Sequence, residues 1–412
     1  MNAIVKRSAP AQHIFSENNK TDRPDTVTPA APIRNYSGYI RPDRDAAALE
    51  LGKRCVEEIK AHILADFEKS DAYCARTGDP EHDLMVHVST FLVLDGTIYM
   101  TYYANTGTDA ENPAYQEARL AFCPADNVAD MTIVTIQKVD DDLDGRKIDM
   151  VYDTILLHKG GDELYILWTA SADHLYYRFY CTYNTKTRTL GPIRPNRFRV
   201  GNVVNDFSMS GITAALAANG IPHKVMFSDI GIMQKLSTRE ENGEIYYYTG
   251  AYSGNWNCII KSRDFVEWEY VATPDFINLS LWENATYVIG DKCYYFVRQE
   301  ECMQAFLSCY DLVHGTWEKP FLIRDAQSRS DFFVYRGELY LVHAPINRDG
   351  FGIVKIDRDH LENSRPVLVA DMKESLFYPF ARVMGDNLWL SYTVNRKHIR
   401  LAKFHLPDYL GA

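Results

Sequence analysis

Gly337-Glu338-Leu339-Tyr340-Leu341-Val342-His343 is the stretch whose reading decides the fold: a Gly turn running into a strand of alternating aromatic and aliphatic residues. The same unit appears at Gly96-Thr97-Ile98-Tyr99, Gly161-Asp162-Glu163-Leu164-Tyr165, Gly243-Glu244-Ile245-Tyr246, Gly290-Asp291-Lys292-Cys293-Tyr294 and Gly385-Asp386-Asn387-Leu388-Trp389. The last four turn glycines, Gly243, Gly290, Gly337 and Gly385, are spaced by 47, 47 and 48 positions. A fixed period of this length in β-rich sequence is the mark of a propeller, where each repeat is one four-stranded blade. A single blade cannot bury both faces, so the blades must stack around an axis. The sequence therefore predicts an all-β fold, a seven-bladed β-propeller with six blades as the alternative. The uncertain blade falls between Gly161 and Gly243, which are 82 positions apart, too many for one period and too few for two.

Working outward, residues 1–36 are polar and rich in Pro, Asn and Thr, the composition of a flexible N-terminal arm. Residues 37–84 form an N-terminal segment in which the period changes. Ala47, Leu49, Leu51, Val56, Ile59, Ile63 and Leu64 fall roughly on one helical face. That pattern predicts an amphipathic helix packed on the propeller as a cap. Residues 85–412 are assigned to the propeller. Its first hairpin is announced by Asp95-Gly96 between two alternating runs. The turn Ser262-Arg263-Asp264 leading to Trp268 is similar to an Asp-box, Ser-x-Asp-x-Gly-x-x-Trp, with the Gly missing and one residue fewer; Asp311 to Trp317 is a looser echo. Such a turn is a folding device and carries no catalysis.

A net charge of −11 argues against nucleic acid, which needs a basic footprint, but leaves room for an acidic small substrate at a local Arg cluster. Eight scattered cysteines without CxxC pairs read as free thiols of a reducing compartment. The start of the chain lacks an apolar signal region, and no apolar run approaches the about 20 residues that cross a bilayer. A cytoplasmic location without membrane contact is expected. Dinucleotide, P-loop, HExxH and GxSxG patterns are absent, so neither a cofactor nor a metal is expected. Asp140 to Asp144 slightly resembles a calcium loop but lacks its remaining ligands.

Propeller sites lie at one mouth of the axial channel, where inner strands converge. Polar groups recur about six to nine residues ahead of the turn glycines, the place that feeds an inner strand. They are His87, Tyr152-Asp153, Trp282-Glu283-Asn284, Ser328-Arg329-Ser330 and Phe377-Tyr378-Pro379, with Asn205-Asp206 as the guess for the irregular unit. Packing alone needs no His, Glu, Arg or Tyr there. Arg298, Arg348 and Arg396 follow strands; Arg298 and Arg329 suit a carboxylate clamp, whereas Arg348 and Arg396 suit surface ion pairs. Glu117 and Glu283 are candidate acids or bases.

Three segments carry a resemblance: the His87 strand with Tyr102-Tyr103-Ala104-Asn105 after it, Gln327-Ser328-Arg329-Ser330 ahead of Leu339-Tyr340-Leu341, and Leu390 to Ile399. Together they resemble sialidase-like β-propellers of carbohydrate metabolism, nearest to seven-bladed polysaccharide lyases of the ulvan lyase and rhamnose–glucuronate lyase type, with the related propeller rhamnosidases. The resemblance implies β-elimination on an acidic, uronate-containing oligosaccharide. In that reading His87 matches the catalytic His, Tyr152 is its Tyr partner, and Arg298 or Arg329 holds the carboxylate. Glu117, Asp206, Glu283 and Tyr378 are then substrate-binding. The second His of ulvan lyases has no match. The competing enzyme reading is a sialidase- or arabinanase-like glycoside hydrolase using Tyr378 with Glu283 and an Arg cluster. A non-catalytic propeller that binds a glycan or a protein is the third.

Overall fold

A computed structural model describes residues 5–16, 73–77, 83–223, 230–253, 256–275, 281–299, 304–323, 326–345, 348–371 and 375–410. Its described strands group into six antiparallel-rich sheets that follow one another along the chain. Their innermost strands are Met85–Leu94, Arg146–His158, the split pair Ile230–Ile232 and Ser237–Glu241, Leu281–Ile289, Gln327–Tyr335 and Leu376–Met384. Each sheet touches the next, and the sixth touches the first, so the six form a cycle. The cycle is closed by sequence as well as by contact: Tyr73–Thr77 pairs antiparallel with His398–His405, adding an early strand to the last sheet.

The turn glycines behave as their spacing demands. Gly96, Gly161, Gly243, Gly290, Gly337 and Gly385 all have positive φ, a region that costs a side chain little only in glycine. Between sheets, apolar clusters such as Phe333, Tyr340, Leu390 and Phe404 fill the space. An inner strand is an edge strand, and its unpaired N–H groups need partners. Neighbouring sheets supply them from side chains: Leu156 N donates to Thr90 Oγ1 at 2.7 Å, Val288 N to Ser237 Oγ at 2.8 Å, and Ala381 N to Asp331 Oδ2 at 2.7 Å.

No seventh sheet occurs among the described residues. The region expected to hold a degenerate blade instead folds as Arg197–Val200, Val203–Asp206 and the helix Met209–Ala218. Arg197–Val200 pairs parallel with Glu267–Ala272, so this insertion extends the outer edge of the third sheet. Its length, not an extra blade, explains the 82-position interval.

The Asp-box-like turn forms. Ser262 Oγ accepts from Phe265 N at 2.9 Å, and Asp264 Oδ1 accepts from Val266 N and Glu267 N, both at 2.9 Å. Phe265 takes a φ of 66° and buries its ring against Trp268 and Tyr247. Asp311 likewise accepts from Val313 N and His314 N.

Within the expected N-terminal arm, residues 5–16 lie against the second sheet. Lys6–Arg7 pairs parallel with Thr189–Leu190, and Phe15 is buried edge-on to Tyr177. The helix expected from the period around Ala47 to Leu64 lies outside the described residues. Cys123, Cys181, Cys258, Cys293 and Cys309 are buried free thiols, with burial pushing Cys181 up to about 12. No described helix is long and apolar enough to cross a membrane.

Candidate active site

Five of the six inner strands are broken by a register shift at the same level: His87/Thr90, Tyr152/Ile155, Leu281/Asn284, Gln327/Asp331 and Phe377/Phe380. A bulge inserts a residue, bends the strand and re-aims side chains, which is why bulges gather beside sites. Four of the bulges hold a non-glycine residue at positive φ: Val88 at 53°, Asp153 at 53°, Ser328 at 70° and Tyr378 at 55°. Such backbone costs about 1–3 kcal/mol per residue and persists where surrounding structure enforces it.

The bulges open onto one cavity of about 310 Å³, lined by Val88, Tyr103, Glu111, Tyr152, Asp153, Tyr252, Glu283, Arg298, Arg329 and Tyr378. Tyr152, Glu283, Arg298, Arg329 and Tyr378, drawn from four sheets, therefore meet there. At its centre Tyr378 Oη donates to Glu283 Oε1 at 2.5 Å, and Arg298 Nη1 donates to Glu283 Oε2 at 2.7 Å. Arg329 lies over the Tyr378 ring, 4.9 Å from its centroid. Burial disfavours the Glu283 anion, but Arg298, Arg329 and the Tyr378 hydroxyl outweigh it and hold the carboxyl down to about 2. The Tyr378 phenol is pushed up, by burial first and then by the Glu283 charge.

Beneath this pair Asp153 anchors the cations. It forms ion pairs with Arg329 Nη2 at 2.6 Å and Arg178 Nη1 at 3.3 Å, and accepts from Tyr252 Oη at 3.4 Å. Arg178 is wholly buried and also donates to Thr169 Oγ1 at 2.9 Å and to the Asp153 carbonyl at 2.5 Å. Gly231 permits this packing, since a Cβ there would stand 2.5 Å from Asp153 Oδ2.

His87 is buried and does not line the cavity. Its ring stacks on Tyr378 at 4.5 Å, Nδ1 meets Thr393 Oγ1 at 2.9 Å, and Nε2 has no partner among the described residues. Burial, then Arg396 and Arg329, pull its pKa well below the ordinary value, so the ring is neutral. Two expected site residues lie elsewhere. Glu117 pairs with Arg119 at 3.1 Å and accepts from Thr135 at 2.9 Å within the first sheet, because it sits on the third strand and not on the inner one. Asp206 is on the outer edge of the third sheet, where it pairs with Arg197 and accepts from Ser16 N. The true inner strand of that sheet carries Gln234, which accepts from Arg329 Nη1 at 3.4 Å.

Glu111 was not singled out from the sequence. It lies in the loop following Thr97–Asn105, accepts from Tyr103 Oη at 2.5 Å and pairs with Arg396 at 2.6 Å. Its signal was loop length: the opposite end of that hairpin is a two-residue Asp95-Gly96 turn, whereas here the chain takes some ten residues to return. Arg348 and Arg396 both lie over the Phe377 ring, at 4.9 and 5.1 Å.

The depressed Glu283 carboxyl has a consequence for acid stability. An acid held at about 2 and near 4.5 ordinarily contributes to folding above 4.5 and loses that contribution as pH falls towards 2. Wild type is expected to lose on the order of 3 kcal/mol over this window that Glu283→Gln does not lose, read from urea unfolding at stepped pH. Parallel curves for the two proteins would contradict the ion-paired assignment.

No protein-family model matches the chain, and no curated protein sequence matches it. Among solved structures it is similar to Trypanosoma rangeli sialidase, with a TM-score of 0.55 and 14% identity over 83% of this chain and 60% of that one. It is similar to the NanB sialidase from Streptococcus pneumoniae, with a TM-score of 0.53 and 10% identity over 86% of this chain and 73% of that one. A Hadza microbial sialidase gives 0.54 and 10% over 82% and 69%. The chain spans about three fifths of the length of the trypanosomal enzymes it matches. At these identities the likeness is one of architecture: the chain has the all-β, propeller-type fold of the sialidases.

Proposed function

We propose that the protein is a six-bladed propeller glycoside hydrolase acting on a carboxylate-bearing sugar, with Tyr378 as nucleophile and Glu283 as its base. The observation that carries this reading is the 2.5 Å hydrogen bond from Tyr378 to Glu283 at the centre of a cavity holding Arg298 and Arg329. A glycosidase needs a nucleophile on one face of the anomeric carbon and an acid for the leaving oxygen; a Tyr nucleophile is a known variant. A neutral phenol suits an anomeric centre next to a carboxylate, because a carboxylate nucleophile would be repelled.

The substrate carboxylate binds Arg298 and Arg329, whose guanidinium forks match it. Neutralising those cations withdraws what holds Glu283 ionised, so Glu283 becomes a stronger base as substrate arrives. Tyr378 Oη passes its proton to Glu283 and bonds to the anomeric carbon. The glycosidic bond breaks, and its oxygen takes a proton from solvent, since Arg396 holds Glu111 as a carboxylate. Water then attacks the anomeric carbon and gives a proton to Glu111, which returns it to solvent, while Tyr378 departs and recovers its own proton from Glu283. Two displacements retain the anomeric configuration.

The lyase reading ranks second. It requires a base that touches the sugar, and His87 instead lies buried beneath Tyr378. Incubation with aryl glycosides and oligosaccharides of sialic and uronic acids separates the two. Release of the aryl group with a new reducing end and a retained anomer by NMR is expected. An unsaturated, ultraviolet-absorbing product would overturn hydrolysis, and no turnover across the panel would favour a binding propeller.

A further inference from the structure

A second, larger cavity of about 510 Å³ lies further along the axis. The same inner strands reach it four or five residues beyond the bulges, about 13–16 Å on at strand rise, through Val93, Leu157, Tyr287, Phe333 and Val383. It shares no lining residue with the first cavity.

Its charge is unbalanced. Lys235 and Arg382 line it, and no Asp or Glu does. Lys235 Nζ stands 4.9 Å from the centroid of the Phe380 ring and the Arg382 guanidinium 5.5 Å from the same centroid, so both cations serve one end of the space. One carboxylate, Asp331, stands behind them. Its Oδ2 pairs with Lys235 at 3.0 Å and accepts from Ala381 N at 2.7 Å, while Oδ1 has no partner among the described residues. Lys235 spends a second proton on the Ala381 carbonyl at 2.5 Å, which leaves a third. Arg382 uses Nε on the Phe91 carbonyl at 2.7 Å, and its terminal nitrogens have no partner among the described residues. Two cations against one acid leave a single positive charge in a largely desolvated place, where an uncompensated charge is costly. Burial lowers the pKa of both Lys235 and Arg382, and Asp331 only partly offsets it.

We propose that this axial cavity binds a small organic monocarboxylate, with its head group on Lys235 and Arg382 and its apolar body against Phe380 and Tyr287. A single negative charge matches the imbalance, whereas a phosphate dianion would reverse it.

Benzoate is the probe, titrated into the full chain by calorimetry near pH 7. Saturable binding is expected, weakened at least about tenfold by Arg382→Met, since one charge-assisted contact is lost. Arg298→Met, which alters the other cavity, is expected to leave it unchanged. Lys235→Met supplies a second test, with near-UV circular dichroism reporting that each variant is folded. Benzoate should also raise the melting temperature of wild type and not of Arg382→Met. Loss of binding in Arg298→Met with retention in both Arg382→Met and Lys235→Met would put benzoate at the sugar cavity and overturn the proposal. Absence of saturable binding, or equal competition by inorganic phosphate, would overturn it as well.

Discussion

Replacing Tyr378 with Phe is expected to lower kcat on an aryl glycoside of an acidic sugar by about 10³-fold or more, with KM changed little. The ring keeps its environment in this variant: His87 stacks on one side and Arg329 lies over it, so the cavity retains its shape. Only the hydroxyl is lost, and with it the atom proposed to bond to the anomeric carbon. Glu283→Gln preserves that atom but removes the proton acceptor, and general-base removal typically costs about 10²–10⁴-fold. Tyr378→Phe should therefore be at least as damaging as Glu283→Gln. The double variant should be little worse than Tyr378→Phe, because the two groups act as one unit. A Tyr378→Phe protein that folds normally and keeps a tenth of wild-type kcat would remove Tyr378 as nucleophile. His87 gives the contrast. As a residue acting through the Tyr378 ring, its replacement by Phe should be tolerated far better than loss of the phenol.

How much of this was legible beforehand depends on what repeats. The Gly turns repeat, so strand order and sheet number followed to within one sheet. The inner-strand positions of His87, Tyr152, Glu283, Arg329 and Tyr378 were legible for the same reason: each sits seven to nine residues before a turn glycine. Which neighbour faces the axis was not legible, because a bulge shifts a strand's alternation by one residue. That is why Val88 and Asp153 reach the cavity while His87 turns behind Tyr378. Asp206 failed because the third sheet breaks the offset rule. Its inner strand is split around Gln234 and Lys235, and the insertion ahead of it mimicked a missing repeat. Arg178, Tyr103 and Tyr252 belong to second or third strands, where alternating Tyr and Arg look like ordinary sheet surface. Only three-dimensional closure brings them under the inner layer.

Asp153→Ala is expected to be the most destabilising single change at the site, by about 3–5 kcal/mol in urea unfolding near pH 7. Arg178 is wholly buried and the Arg329 side chain only 2% exposed, so neither can turn to water when its partner goes. Breaking a buried pair leaves an uncompensated charge, and here one carboxylate serves two cations. Arg329 retains the nearby Glu283, whose field also favours its charged form, but Arg178 keeps only neutral acceptors. Asp153→Asn should cost less, since an amide oxygen still accepts from a guanidinium while the charge is lost. Adding Arg329→Met to Asp153→Ala should restore part of the stability, giving a coupling energy within about 0.5–3 kcal/mol in a double-mutant cycle. This link also ties fold to catalysis: Asp153 fixes Arg329, and Arg329 lies over the Tyr378 ring and lowers the Glu283 carboxyl. The Asp153→Asn protein, if folded, should bind acidic substrate with a raised KM before kcat falls. A cost below about 1 kcal/mol for Asp153→Ala, or strictly additive effects with Arg329→Met, would mean that the two arginines are held by something other than this carboxylate.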